Sequence, residues 1–320
     1  MRKFSGGDEK DRETGENEEI GENRKYRIKE EREQMKLTEQ RPEDKRGLSF
    51  EIYPPKHDSY LKDIDETLGI LCELKPDYIS ITFGAGGSLD DNRTLEIAGK
   101  IKNEYHVEPL VHMSCLHYTK EDVDRFTEKM KENGLQNILA LRGDRRQDIP
   151  EKRDFCHASD LTAYLKTKGD FCIAGACYPE GHPESRDVVD DIRSLKTKVD
   201  AGDDFLISQL FFDNQVFFDF RERCRIADIN VPVTPGIIPV INKSQIERMV
   251  TLCGATLPKK FQKILNRYQD NKDALFDAGM TYALNQMIDL LASGITEIHL
   301  YTMNNAKVAK HLAEGIRNLL

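Results

Sequence analysis

Asn137-Ile-Leu-Ala-Leu-Arg-Gly-Asp144 is a short apolar run that stops abruptly at a charge, a glycine and a second charge. Tyr178-Pro-Glu-Gly-His-Pro-Glu184 closes another such run, and Ser49-Phe-Glu-Ile-Tyr-Pro-Pro-Lys56 shows the same grammar further upstream. A buried strand that ends at a chemically loaded loop reads this way. Strand-like runs recur outward from these three, at 48–53, 77–82, 109–114, 137–142, 171–177, 204–210, 231–238 and 296–301. Helical periodicity fills the gaps. The stretch 60–74 puts Leu61, Ile64, Leu68, Leu71 and Cys72 on one face, and 187–199 does the same with Val188, Ile192, Leu195 and Val199. Asp90, Asp91, Thr119 and Ser185 sit where N-caps belong. Eight strand-then-helix units over about 270 residues predict an α/β fold of the (β/α)8 TIM-barrel kind rather than an open doubly wound sheet. The interval from Ile238 to Thr296 is too long for one helix. An extra helix or two is therefore expected around 258–268, before a long helix over 272–292 and the eighth strand.

Composition bounds the function. The chain has 320 residues, 38% of them hydrophobic, and a formal net charge of -9. That acidity argues against general nucleic-acid binding, which needs a basic face. It leaves room for an anionic small molecule in a local basic cleft. No apolar run approaches the roughly 20 residues of a membrane span, and the N-terminus lacks the apolar core of a signal peptide. The seven cysteines form no CxxC pair and no zinc spacing, so reduced thiols and a cytoplasmic location are expected. Residues 1–46 are mostly charged and small, with too little apolar surface to offset their ordering entropy. They are expected to form a disordered or loosely helical charged tail, with a solvated helix over 26–40 or a docking arm as alternatives, and 47–320 to form the barrel.

The working face of such a barrel is the C-terminal end of its strands. The loaded residues gather there: Glu51, Thr82, His112, Arg142 with Asp144, Tyr178 with His182, Gln209 and Tyr301. Glu51 alternates with Phe50 and Ile52, so it points to the opposite side of its strand. An acid near apolar walls suits general-acid chemistry, and pairing with a lysine is the structural alternative. Gly84 to Gly87 follows the second strand; it is either a backbone cradle for a phosphate or simply a tight turn. His112 and His182 are metal-ligand types, but no Asp, Glu or His cluster at metal spacing accompanies them, and a hydrogen-bonding loop role fits His182 better. Lys198 near a helix C-terminus also has a plain electrostatic reading.

The ordered set SFEIYPPK, ISITFGAGGS, VHMSC, NILALRGD, YPEGHPES, KVDAGDDFLISQLFFD, PGIIPV and HLYTMN closely resembles the methylenetetrahydrofolate reductase family. The match runs from about Leu48 to the C-terminus. The resemblance implies a barrel holding FAD, which passes a hydride to 5,10-methylenetetrahydrofolate and yields 5-methyltetrahydrofolate. It implies NAD(P)H or a reduced electron-carrier protein as donor, folate as the small-molecule partner, no metal, and compatibility with a homo-oligomer. Glu51 matches the catalytic acid, and Asp144 the position where flavin and folate meet. Thr82, Phe83, Ala85, His112, Arg142, Gly143, Asp144, Ala158, Tyr178, His182, Asp191 and Lys198 match positions around FAD. Gln209 and Gln245 match folate-contacting positions, where an amide suits the donors and acceptors of a pterin.

Three departures stand against the family pattern. Asn305 follows YTMN where an arginine is common, Met249 takes the place of an aromatic, and Arg145-Arg146-Gln147 replaces a Pro/Gly-rich turn. Lys56, Arg145 or Arg146 are alternative sources of the missing charge. Two other readings fit a flavin barrel: a proline dehydrogenase-like enzyme, and a flavin- or folate-binding subunit that is inactive without an electron-delivering partner.

Overall fold

A computed structural model describes residues 36–39, 46–55, 61–83, 93–145 and 149–320. Ala85 and the rest of the Gly84–Gly87 turn, the caps Asp90 and Asp91, Lys56, Arg146, Gln147 and most of the expected tail lie outside the described residues.

Among the described residues nine strand segments, all paired in parallel, make one sheet: β1 Gly47–Ile52, β2 Tyr78–Ile81, β3 Glu108–Ser114, β4 Asn137–Leu141, β5 Cys172–Cys177, β6 Phe205–Ser208, β7 Val233–Thr234, β8 Gly236–Ile237 and β9 Glu297–Tyr301. Their order is β7-β6-β5-β4-β3-β2-β1-β9-β8. The two ends of that row are one stretch of chain. The seventh expected strand, 231–238, is broken at Pro235, which has no N–H to give to a ladder. Its first half pairs with β6 and its second with β9. His299 N donates to the Pro235 carbonyl across the break at 2.9 Å. A (β/α)8 ring is thus closed by a kinked strand. Gly236 is required at this kink, because a Cβ there would overlap the Ser208 carbonyl and the Tyr301 ring.

Alternation along the strands separates two layers. Phe50, Ile52, Ile79, Ile81, Val111, Ile138 and Ile173 face outward into the core shared with the surrounding helices, and all are buried. Tyr78, Leu110, Leu139, Cys172, Ala174, Phe205 and Ile207 fill the barrel interior. Leu37 joins this inner cluster, and its N–H donates to Asn137 Oδ1 at 3.0 Å. The barrel floor therefore takes in residues 36–39, which the sequence reading places in the tail.

Helices Leu61–Glu73, Arg93–Asn103, Lys120–Glu132, Ala158–Lys166, Val188–Asp200, Asn214–Ile226 and Lys272–Ala292 follow the strands, and Ala306–Ile316 closes the circuit. The extra helices are Lys243–Cys253 and Lys259–Tyr268; the second begins after Pro258, as expected. Thr119 is an N-cap with a full capping box. Ser185 is not one: the helix at 188 is capped by Asp187, which accepts from Val189 N and Asp190 N, both at 2.9 Å. Ser185 instead donates to Asp191 Oδ1 at 3.0 Å.

Candidate active site

Glu51 faces the barrel interior, opposite in sense to its buried neighbours Phe50 and Ile52. Its Oε2 lies 3.6 Å from His112 Nε2 and 3.9 Å from His299 Nε2. Both are charge-contact distances, too long for hydrogen bonds. The Glu51 side chain is 22% exposed while the two imidazoles are buried. The carboxyl therefore stands between an open mouth and a dry floor. Burial pushes His112 down to about 4, against the opposing pull of the Glu51 carboxylate, so its ring is neutral at pH 7. His112 Nε2 has no hydrogen-bond partner among the described residues.

His299 is fixed from several sides. Ser49 Oγ lies 2.8 Å from its Nδ1 and Ser80 Oγ 3.4 Å from its Nε2. The ring stacks on Tyr78 and meets Tyr301 edge-on. Tyr301 OH donates to the Ser208 carbonyl at 2.7 Å, and burial holds this phenol well above its usual range, hence neutral. Thr302 Oγ1 donates to the Glu51 carbonyl at 2.6 Å. Asn304 clamps the chain two residues on, exchanging hydrogen bonds with the Tyr53 backbone at 2.9 and 2.8 Å. Met303 and Asn304 both hold left-handed backbone, at φ 53° and 54°. Non-glycine strain of this sort concentrates at working loops.

A second feature opens beside β4 and β5. A cavity of about 470 Å³ brings together Arg142, Ala158, Tyr178, His182, Asp191 and Lys198, six of the expected cofactor positions. Two cations line it, and so do Ala158 and Ser159 from the N-terminal end of helix Ala158–Lys166, where the helix dipole favours negative charge. Arg142 forms a fork to Glu184, at 2.6 and 2.7 Å. The guanidinium beside Glu184 draws that carboxyl down to about 2. Tyr178 and His182 meet edge-to-face at 4.6 Å, and burial pushes the Tyr178 phenol up to about 12. Asp191 knots the loop, accepting from His182 N at 3.1 Å as well as from Ser185. Lys198 Nζ donates to the Ala176 carbonyl.

The remaining candidates lie outside that cavity lining. Thr82 continues the β2 exit, its N–H bonded to the Ile52 carbonyl at 3.0 Å. Phe83 packs its ring against Tyr118 and Phe126. Gly143 holds φ +86°, and a Cβ there would lie 2.9 Å from Ser114 Cβ, so glycine is needed to turn the chain toward Asp144. Asp144 is exposed, its carbonyl 3.0 Å from His117 Nε2. Gln209 folds its Oε1 back onto Leu210 N at 2.9 Å. Gln245 and Met249 line a small separate pocket with Thr302 and Met303. Asn305 caps helix Ala306–Ile316, accepting from Val308 N at 3.2 Å. Three residues of structural weight escaped the sequence reading: His299, Glu184 and the buried Asp203. The first was visible as a polar residue alternating with Tyr301. Among the described residues no group of three or more His, Cys, Asp or Glu is placed to hold a metal, and no helix is long and apolar enough to cross a membrane.

Residues 36–317 match the family model described as methylenetetrahydrofolate reductase. Methylenetetrahydrofolate reductase (NADH) 1 of Arabidopsis thaliana is 38% identical over 281 residues, covering 82% of this chain and 47% of that protein. The chain thus spans about half the length of the plant relatives it matches. The 5,10-methylenetetrahydrofolate reductase of Escherichia coli is 32% identical over 265 residues, covering 82% of this chain and 88% of that protein. A solved structure from Clostridium thermocellum, described as binding two copies of 5-methyl-5,6,7,8-tetrahydrofolic acid, aligns with TM-score 0.60 at 14% identity, over 87% of this chain and 97% of that one. At that identity the likeness speaks for the barrel alone.

Proposed function

The chain belongs to the methylenetetrahydrofolate reductase family, and from that premise we propose that it reduces 5,10-methylenetetrahydrofolate to 5-methyltetrahydrofolate with FAD as its bound cofactor. The observation that carries the reading is Glu51, a part-exposed carboxyl at the mouth of the barrel with two buried imidazoles within 4 Å beneath it. The donor set of the neighbouring cavity fits FAD. Arg142, Lys198 and the N-terminal end of helix Ala158–Lys166 suit a diphosphate, and Tyr178 and His182 offer ring surfaces to flat groups. Bound FAD supplies the hydride chemistry.

The chain's own residues do the rest. Glu51 delivers a proton from its carboxyl to the substrate nitrogen that leaves when the methylene bridge opens. The neutral His112 beneath it adds no competing positive charge, and the buried Ser49–His299–Ser80 group keeps the floor rigid. Gln209 and Gln245 offer amides to the pterin, Gln209 by releasing its local bond to Leu210. Asp144 stands past the Gly143 turn, at the side where Arg142 and Tyr178 feel its charge. NADH is the proposed electron donor, following the name of the Arabidopsis relative. The test is to denature purified protein, identify the released flavin, and follow anaerobic flavin bleaching with NADH, NADPH and reduced ferredoxin in turn. FAD release with rapid bleaching by NADH is expected. Colourless protein that takes up no added FAD would overturn the reading.

A further inference from the structure

Behind the wall of the cavity sits a carboxylate with no assigned task. Asp203 is 3% exposed. One oxygen, Oδ1, accepts from Thr162 Oγ1 at 2.8 Å, and Thr162 is itself fully buried. The other, Oδ2, has no hydrogen-bond partner among the described residues. An orphaned buried carboxylate oxygen is costly and calls for a reason. The backbone makes room for it, since a Cβ on Gly175 of β5 would overlap Asp203 Oδ2 and lie 3.0 Å from Lys198 Cε. Carboxylate and lysine stem thus flank the same point on the strand. The Lys198 head turns to the Ala176 carbonyl and also lines the cavity.

We propose that Asp203 is a positioning residue that holds Lys198 in reserve, and that an anionic ligand in the cavity draws the ammonium away so that Asp203 takes up a proton from water. The inference rests on the flavin reading, with the FAD diphosphate as the anion. Two positions are open to Lys198: on the Ala176 carbonyl, where its charge favours the Asp203 carboxylate, or on the ligand. In the second, Asp203 keeps only the Thr162 hydroxyl and has lost its countercharge, and a buried carboxylate in that state binds a proton. Lys166 also favours the Asp203 carboxylate, more weakly than Lys198, but it is committed to Asp204 at 2.7 Å, and Asp204 itself opposes the charge on Asp203. Burial already lifts Asp203 to about 6 with Lys198 nearby, so the uptake falls in an accessible range.

The sign follows from linkage. Below the free-state value both states hold the proton and FAD affinity is flat. Above it, binding must take up a proton, and affinity falls by up to about tenfold per pH unit until the bound-state value is passed. Other titrating groups line the cavity, namely Arg142, His157, His182, Glu184, Asp190 and Asp191, and their contribution is common to wild type and variants. The experiment follows FAD release from diluted holoprotein by flavin fluorescence, from about pH 5.5 to 8.5, for wild type, Asp203→Asn and Thr162→Val. Asp203→Asn should retain FAD more tightly at the alkaline end and lose one proton's worth of slope. Thr162→Val, by removing the bond to the carboxylate, should move the bend to higher pH while keeping its slope. This second variant tests the idea even if Asp203→Asn folds poorly. Parallel curves for all three proteins would overturn the proton coupling alone. Absence of any FAD in wild type would overturn the flavin reading and the inference together.

Discussion

Replacing Glu51 with glutamine keeps the shape of the side chain and removes its proton. Nothing in the surroundings requires the charge for folding. The nearest partners of Oε2 are imidazoles at 3.6 and 3.9 Å rather than a lysine or arginine, and 22% of the side chain meets solvent. Folding stability should therefore change by only about 0.5 kcal/mol. Catalysis should not be spared. General-acid assistance contributes about 10²–10⁴-fold, which corresponds to roughly 3–5 kcal/mol of transition-state stabilisation. The loss belongs to one half-reaction only, because accepting a hydride from a nicotinamide needs no proton from Glu51. Anaerobic stopped-flow separates the two: bleaching of the flavin by NADH, then its recovery of absorbance on mixing with 5,10-methylenetetrahydrofolate. Glu51→Gln should bleach at the wild-type rate and recover at least about 100-fold more slowly. Equal slowing of both steps would refute the acid role and make Glu51 a structural carboxylate. Unchanged recovery would refute it as well.

Three further outcomes follow from the packing. Leu37→Ala, or truncation through residue 44, should cost about 2–3 kcal/mol in chemical denaturation, because Leu37 fills the barrel floor with Tyr78, Leu110 and Leu139; an unchanged midpoint would place Leu37 elsewhere. Asn305→Arg, which restores a cation at that position, should lower stability by about 1 kcal/mol through loss of the cap to Val308 N, whatever it does to substrate KM; a stabilised variant would contradict the cap. Asp203→Asn should be more stable than wild type at pH 8 by an amount on the order of 2 kcal/mol, and the gain should vanish near pH 4. The folded-state value of Asp203 is raised, so its favourable contribution is present at low pH and is lost as pH rises through about 6. Equal denaturation curves at pH 8 would count against that burial cost.

The barrel was legible because a parallel strand buried on both faces is a run of apolar residues, and each run here ends in chemistry. The long gap before the last strand likewise announced helix Lys259–Tyr268 at Pro258. What escaped depended on local geometry. The run 231–238 reads as one strand, yet Pro235 lets it serve two neighbours in turn and so close the ring. Ser185 and Asp187 are both good capping types, and only the path of the loop decides that Asp187 accepts the helix N–H groups. His299 lay in plain view in Glu297-Ile-His-Leu-Tyr301, but alternation alone does not say whether a polar residue meets water or the barrel interior. Asp203 was harder still. In Ala201-Gly-Asp-Asp-Phe205 it reads as one of two charges in a turn, and its burial depends on Gly175, distant in sequence. The sequence placed Arg142, Tyr178 and His182 on one face, and Lys198 beside them only through the family resemblance. That they share one cavity, with Arg142 forked to Glu184, follows from the loop packing.

The central claim is that this barrel hands a hydride to a folate, and one anaerobic mixing experiment tests it most directly. Wild-type protein, its flavin first reduced photochemically so that no donor is needed, is mixed with one equivalent of 5,10-methylenetetrahydrofolate. The flavin should regain its oxidised spectrum and 5-methyltetrahydrofolate should appear in equal amount. Flavin that stays reduced in the presence of the folate, or that is reoxidised without forming that product, would contradict it.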